Sequence, residues 1–252
     1  MKWNPELYKN KHAFVFDYGA SLIELLNPQK DEWVLDLGCG TGELTYQISK
    51  ICPNVLGIDK SAAMIEKATT DFDGVRFEVG DASNFQYVQK FNAIFSNATL
   101  HWVNQYQAAA KCMYDNLVVG GRIVIEFGGK GNVESIVDAL RRHLSKRGYH
   151  KQAQLTPWYF PSIAEYSTVL ETVGFRVTFA QHYDRPTKLA DNKNGIVDWI
   201  KMFGKVFFVD VNKNDIEEIS TEVQKELKSK LYRDNNWFAD YKRIRIQAFK
   251  ES

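Results

Sequence analysis

Short apolar runs alternate with amphipathic stretches through the first half of the chain. Residues 33–37, 55–58, 75–79, 92–96 and 122–127 are short, largely apolar runs rich in Val, Ile and Phe, the signature of buried strands. Apolar positions at helical spacing predict helices over about 43–50, 61–69 and 105–116, with Ser61 as the N-cap of the second. Gly120-Gly121 reads as a turn into the fifth strand. Strand and helix taking turns in this way predicts a parallel sheet with crossover helices.

The second half is less regular. A helix is expected over about 133–146, then an aromatic stretch, Pro157-Trp158-Tyr159-Phe160-Pro161. Ser162 opens another helix, which Gly174 stops. Residues 175–180 read as strand six, 184–240 as mostly helical, and 242–249 as a last strand with alternating polar and apolar positions. Such alternation suits an edge or half-exposed strand, so 242–249 is expected as a hairpin partner of strand six. The expected architecture is α/β: a Rossmann-like, mostly parallel, seven-stranded sheet with helices on both faces. Its parts would be an N-terminal helical lid (1–30), a cofactor-binding core (31–183), a helical insertion over the ligand edge of the sheet (184–240) and the final core strand (241–252).

Charge narrows the partners. Lys+Arg is 32 against Asp+Glu 31, a formal net charge of +1. That balance offers no landing surface to nucleic acid or an anionic membrane. The three cysteines, Cys39, Cys52 and Cys112, share no spacing, so neither a disulfide framework nor a metal cluster is expected. No apolar run approaches a membrane span and residues 1–10 lack a signal-peptide core. The default compartment is the reducing cytoplasm. Composition leaves the oligomeric state open.

The chemistry concentrates in Asp36-Leu37-Gly38-Cys39-Gly40-Thr41-Gly42-Glu43, between a predicted strand and a predicted helix. Glycines there let the backbone turn tightly and approach a ligand, and the following helix offers free N–H groups. The spacing is G-x-G-x-G, which is neither the dinucleotide nor the P-loop pattern. Asp59 ends strand two about twenty residues on, where open α/β sheets place an acid on ribose hydroxyls. It also suits a turn or N-cap. Asp81, in Gly80-Asp81-Ala82-Ser83 after strand three, fits either an acceptor for an exocyclic amine or an Asx-turn. Asn97 ends strand four and either faces the ligand or caps the next turn.

In order and spacing, Asp36–Gly42, Gly57-Ile58-Asp59, Gly80-Asp81-Ala82 and Ser96-Asn97-Ala98 resemble the class I S-adenosylmethionine-dependent methyltransferases over about residues 30–130. A narrower resemblance, to the trans-aconitate methyltransferase-like group, rests on Trp3-Asn4-Pro5-Glu6-Leu7-Tyr8, Ala63-Met64-Ile65, Ser96–Trp102 and Asp198-Trp199-Ile200. The 127–132 segment departs from that enzyme, so the resemblance implies the group and not its substrate. It implies S-adenosylmethionine as cofactor, with the loop glycines Gly38, Gly40 and Gly42, and Cys39 among them, passing the methionine part. Asp59 would hold the ribose, Asp81 and the Ala82 backbone would read adenine, and Lys60 and Met64 would flank its ring. Asp36 and Asn97 would lie at the methionine end.

On the acceptor side, His101 directly follows strand four and is the candidate proton acceptor, or an orienting group for a carboxyl. A packed histidine is the equal alternative. Trp102, Trp158, Tyr159, Phe160 and Trp237 could line an acceptor pocket or fill a core. Arg185 could clamp a carboxylate or pair with Asp184 or Glu171. Tyr8 and His12 would fold over the cofactor. The expected function is methyl transfer to a small, partly apolar acceptor, possibly a carboxylate. The rivals are a nucleic-acid methyltransferase, a nicotinamide oxidoreductase and a catalytically silent S-adenosylmethionine-binding protein.

Overall fold

The computed structural model describes residues 20–251. Most of the lid expected over 1–30, with Tyr8 and His12, lies outside them. Helix α1 (Ala20–Leu26) leads into strand β1 (Val34–Leu37), α2 (Glu43–Ser49), β2 (Val55–Asp59), α3 (Ala62–Asp71), β3 (Arg76–Val79) and β4 (Phe91–Asn97). A single 3-10 turn (Leu100–Trp102), α4 (Tyr106–Asn116) and β5 (Leu117–Gly128) follow. Next come α5 (Glu134–Lys146), the short α6 (His150–Ala153), α7 (Ile163–Val173) and β6 (Phe175–Lys188). Helices α8 (Gly195–Phe203) and α9 (Lys213–Leu231), with a 3-10 segment (Gly204–Phe208) between them, precede β7 (Tyr232–Arg233) and β8 (Asn236–Lys250).

The strands are ordered β3-β2-β1-β4-β5-β8-β6, with β7 pairing off this path onto β8. β1 to β5 run parallel, and β8 enters antiparallel to β5. This is the expected mostly parallel, seven-stranded Rossmann-like sheet. Helices cover both faces. Leu22, Leu26, Leu44 and Ile48 of α1 and α2 pack with Val34, Phe95 and Val124 on one face. Met113, Tyr166 and Leu170 of α4 and α7 pack with Leu35, Ile94, Ile125 and Ile246 on the other.

Four expectations change. β8 is an interior strand and β6 takes the edge. The alternation along β8 reflects two covered faces of different chemistry, with Ile244, Ile246 and Ala248 in one core and Arg245 and Gln247 reaching α1 on the other side. Gly120-Gly121 is a bulge inside a longer β5, where the register shifts between Phe91 and Ala93, and not a turn before it. β6 runs on to Lys188, so 184–188 is strand. Residues 232–240 form a hairpin rather than helix. Asp234 and Asn235, with φ of 50° and 57°, make the two-residue turn that matches strand twist.

By contacts the chain divides into two units. Among the described residues the first comprises 20–130, 158–183 and 243–251, the second 131–157 and 184–242. The first holds the parallel sheet. The second is built around α5 packed on α9. Arg147, the C-cap residue of α5, binds Glu222 at 2.6 Å and Glu218 at 3.1 Å, and the His143 ring lies between Glu222 and Glu226 at 3.0 and 2.8 Å.

Candidate cofactor and acceptor site

The loop after β1 is the base of the site. Gly38, Gly40 and Gly42 have φ of 82°, 56° and 90°, a region that costs other residues roughly 1–2 kcal/mol. At Gly38 space matters more than torsion, because an added Cβ would stand 2.1 Å from Thr99 Oγ1. The Thr99 hydroxyl in turn donates to the Gly38 carbonyl at 3.0 Å, tying the loop to the end of β4. At Gly40 an added Cβ meets nothing within 4 Å, so this peptide faces open space. The loop therefore presents bare backbone at Gly40 and is packed from behind at Gly38, the shape needed to let a ligand approach closely.

Asp59 closes the loop from the side. Its Oδ2 accepts from Gly40 N at 3.0 Å and its Oδ1 from Ser61 N at 2.8 Å. A carboxylate offers about four lone-pair sites, so this anchoring leaves about two for a vicinal diol. Burial pushes its carboxyl above the usual range, against those two amide bonds. Asp36, 2% exposed, accepts from the Thr45 hydroxyl of α2 at 2.6 Å. Burial pushes Asp36 up to about 7, the Thr45 bond opposes this, and the charge of Asp59 adds to it. Burial also drives the Cys39 thiol well up, with Asp36 and Asp59 adding. Cys39 is thus a neutral thiol in the loop, a packing group rather than a nucleophile.

At the end of β3, Asp81 does form the turn foreseen as one alternative. Its Oδ1 accepts from Ser83 N at 2.9 Å and Ser83 Oγ at 2.7 Å. Its Oδ2 accepts from Lys60 Nζ at 2.7 Å. The Lys60 ammonium and the Ser83 amide hold the carboxyl down at about 2. Lys60 thus spans from the end of β2 to the end of β3, and Met64 is buried with Ile65 and Ala68 on the inner side of α3. Ala82 is buried in the sheet core.

Strand β4 ends in buried Asn97, and Ala98 N donates to Glu126 O at 2.7 Å. The chain then turns into the single 3-10 turn that carries buried His101. Gly128 N donates to His101 Nδ1 at 3.4 Å. Four rings gather here: His101 stands 5.4 Å from Trp102 and 5.7 Å from Phe160, Trp102 meets Trp158 edge-on at 5.6 Å, and Trp158 stacks on Phe160 at 5.7 Å. Tyr159 N donates to His101 O at 3.0 Å, which fixes the 157–161 stretch against this turn. The structure thus brings together His101, Trp102, Trp158 and Phe160, all named from the sequence.

Arg185 and Trp237 belong to the second unit. Both are buried. Trp237 tilts against Tyr232 at 4.9 Å and fills the space beside Gly195, where an added Cβ would lie 2.8 Å from it. Its contacts are those of a core side chain. Thr45, Thr99, Tyr183, Glu126 and Arg245 escaped the sequence reading. Glu126, a lone acid in an apolar strand, was the signal available there. The others become visible only when distant segments meet.

Comparison with known proteins gives the family. Residues 28–158 match the family described as methyltransferase domain. A protein described as an uncharacterized methyltransferase, C70.08c, of Schizosaccharomyces pombe is 32% identical over 99% of this chain and 98% of its own length. A trans-aconitate 2-methyltransferase of an Enterobacter species is 27% identical, covering 80% of this chain and 79% of that one. Among solved structures, the YcgJ protein of Bacillus subtilis superposes with a TM-score of 0.68 over 94% of this chain and 99% of that one, at 18% identity. The chain belongs to the methyltransferase-domain family.

Proposed function

We propose that this methyltransferase, whose cofactor is S-adenosylmethionine, methylates a small-molecule acceptor through a carboxylate. S-Adenosylmethionine supplies a methyl group already activated on a sulfonium. The chain's own residues bind, orient and exclude water. The bare backbone at Gly40 would pass the methionine chain, and Asp59 would hold the ribose through the lone pairs its amide bonds leave. The Asp81 carboxylate, kept ionised by Lys60, would accept from the adenine amine beside the Ala82 backbone. Asp36 and Asn97 would face the ammonium end.

One observation carries the acceptor class: the hydrogen bond that Gly128 N donates to His101 Nδ1. A backbone N–H donates to Nδ1, so the neutral ring keeps its proton on Nε2. In that form Nε2 donates and cannot take a proton. His101 is then suited to orient a carboxyl oxygen, an acceptor that is already a nucleophile and needs no base. The aromatic wall of Trp102, Trp158 and Phe160 would enclose the apolar part of such a molecule. The trans-aconitate methyltransferases among the relatives support the same class. The localisation best suited to three unpaired cysteines is the cytoplasm, and no described helix is long and apolar enough to cross a membrane.

The test is a screen of small carboxylic acids, phenols and amines for release of S-adenosylhomocysteine. Turnover concentrated on carboxylic acids is expected. Turnover on phenols or amines alone would overturn the reading. His101→Gln keeps a donor and should retain more turnover than His101→Ala, with cofactor affinity unchanged in both by calorimetry.

A further inference from the structure

A polar group stands one strand beyond Asn97, on the face of the sheet that α1 covers. Glu126 of β5 is paired in register with Asn97 of β4 on one side and with Arg245 of β8 on the other. Val124 and Phe95, two residues back on each strand, pack with α1 and α2. Strand alternation therefore puts Asn97, Glu126 and Arg245 on that same face, at its carboxyl edge. Glu126 is 1% exposed. Its Oε2 accepts from Arg245 Nε and from the Tyr183 hydroxyl, each at 2.6 Å. Arg245 Nη2 donates to Ser21 Oγ at 3.0 Å and meets the Tyr183 hydroxyl at 3.4 Å. Its Nη1 has no partner among the described residues, and the side chain keeps 15% of its surface open.

We propose that Arg245 binds a carboxylate of the methyl acceptor, with Tyr183 beside it, and so selects acidic acceptors. This rests on the carboxylate reading above. A guanidinium has two edges usable for paired bonds. One edge is spent, Nε on Glu126 and Nη2 on Tyr183, and Ser21 takes the other hydrogen of Nη2. That fixes the plane of the group and leaves the Nη1 end as a preformed donor. Glu126 is the positioning residue. It balances the charge while the arginine waits in a mostly buried place, where an unpaired cation is costly, and it stops the long side chain from wandering. The position follows from topology. Glu126 neighbours Asn97, Gly128 two residues on donates to His101, and ligands of open α/β sheets bind at this carboxyl edge. A second carboxylate bound here would hold the molecule by one end while the carboxyl to be methylated lies at His101.

Arg245→Gln alone would strand Glu126, so the variants are Glu126→Gln with Arg245→Gln together, Arg245→Lys, and Tyr183→Phe. The probes are dicarboxylic and tricarboxylic acids, trans-aconitate among them, and their half-esters. Each is measured by turnover and by calorimetry on protein saturated with S-adenosylhomocysteine. For the acids, the double variant should raise KM and Kd at least about tenfold, the loss of one charge-assisted pair. kcat and the affinity for S-adenosylhomocysteine should hold. Arg245→Lys should recover part of the loss and Tyr183→Phe should lose less. Half-esters lacking the second carboxylate should not distinguish the variants from wild type. Acids bound and turned over by the double variant as by wild type would overturn the anchor and leave the carboxylate reading standing. A fall in kcat and melting temperature with KM unchanged would also overturn it, as a structural ion pair. Wild type binding only amines or phenols would overturn both.

Discussion

At the scale of single residues, the buried acid of the loop makes a testable claim about pH. The folded Asp36 carboxyl titrates at about 7 against an ordinary 3.8. The folded state thus holds this proton more tightly than the unfolded chain. Stability from this group is complete below the unfolded value and is lost as pH rises towards 7. Asp36→Asn keeps the acceptor for Thr45 and cannot ionise. Its melting temperature should gain on wild type between pH 4 and about pH 7 and level off above, and a constant difference across that interval would refute the assignment. The charged form favours a cationic ligand, so cofactor affinity should climb over the same interval in wild type and stay flat in the Asn variant. The glycines separate in the same way. Gly38→Ala drives a Cβ into Thr99 and should cost several kcal/mol, as overpacking and torsional strain add. Gly40→Ala meets only open space and should cost about 1–2 kcal/mol, the torsional part alone. Denaturant melts decide this. Asp59→Ala should weaken cofactor binding by about 1.5–3 kcal/mol per lost bond and also free the Gly40 amide. These positions were legible in the sequence because tight turns and strand ends demand particular residues locally. Thr99 and Arg245 were not, since each acquires its meaning from a partner in a distant segment.

Elements were legible where a pattern is set by burial alone. β1, β2 and β4 are apolar on both sides, and α7 is framed by a Ser162–Glu165 capping box and by Gly174. The misread elements are those where tertiary pairing overrides local preference. The bulge in β5 hides behind two glycines that also spell a turn. β6 continues past Ala180 because β8 is there to pair with it. Helix α5 was foreseen, and α9 only as part of a mostly helical 184–240; that they pair through ions was not. Their charges carry an expectation for acid. The Arg147 guanidinium hydrogen-bonded to Glu222 holds its carboxyl down at about 2, and Arg142 does the same in direction for Glu226. A depressed carboxyl stabilises above its unfolded value, and that contribution fades as pH falls through the folded value. Hydrogen exchange in α9 should therefore accelerate below about pH 4, and Arg147→Ala should bring part of that acceleration to neutral pH. Unchanged exchange would mean the pairs are solvated and weak.

For the whole molecule, the division of the chain is discontinuous: α5 comes from 131–157 and its partner α9 from 184–242. Excising 184–242 should not leave a tidy sheet domain, because Ile136, Leu140 and Leu144 of α5 are fully buried and would lose their cover. Such a chain should bind a hydrophobic dye or fail to accumulate in soluble form. Saturation with S-adenosylhomocysteine, in contrast, should raise the stability of the intact protein by about 2.7 kcal/mol at a hundredfold excess over Kd. The slowed amides should centre on 36–43, 57–61 and 80–83. The place of β8 carries one more consequence, for synthesis on the ribosome. Every residue proposed for the cofactor lies before residue 100, yet the strand that joins β5 to β6 is Asn236–Lys250. A nascent chain has made its entire binding loop long before the centre of its sheet can close. Until then β5 offers an open edge to any passing strand. A premature stop in the 230s would yield a polypeptide with an intact signature and no finished fold, work for chaperones and proteases rather than for chemistry.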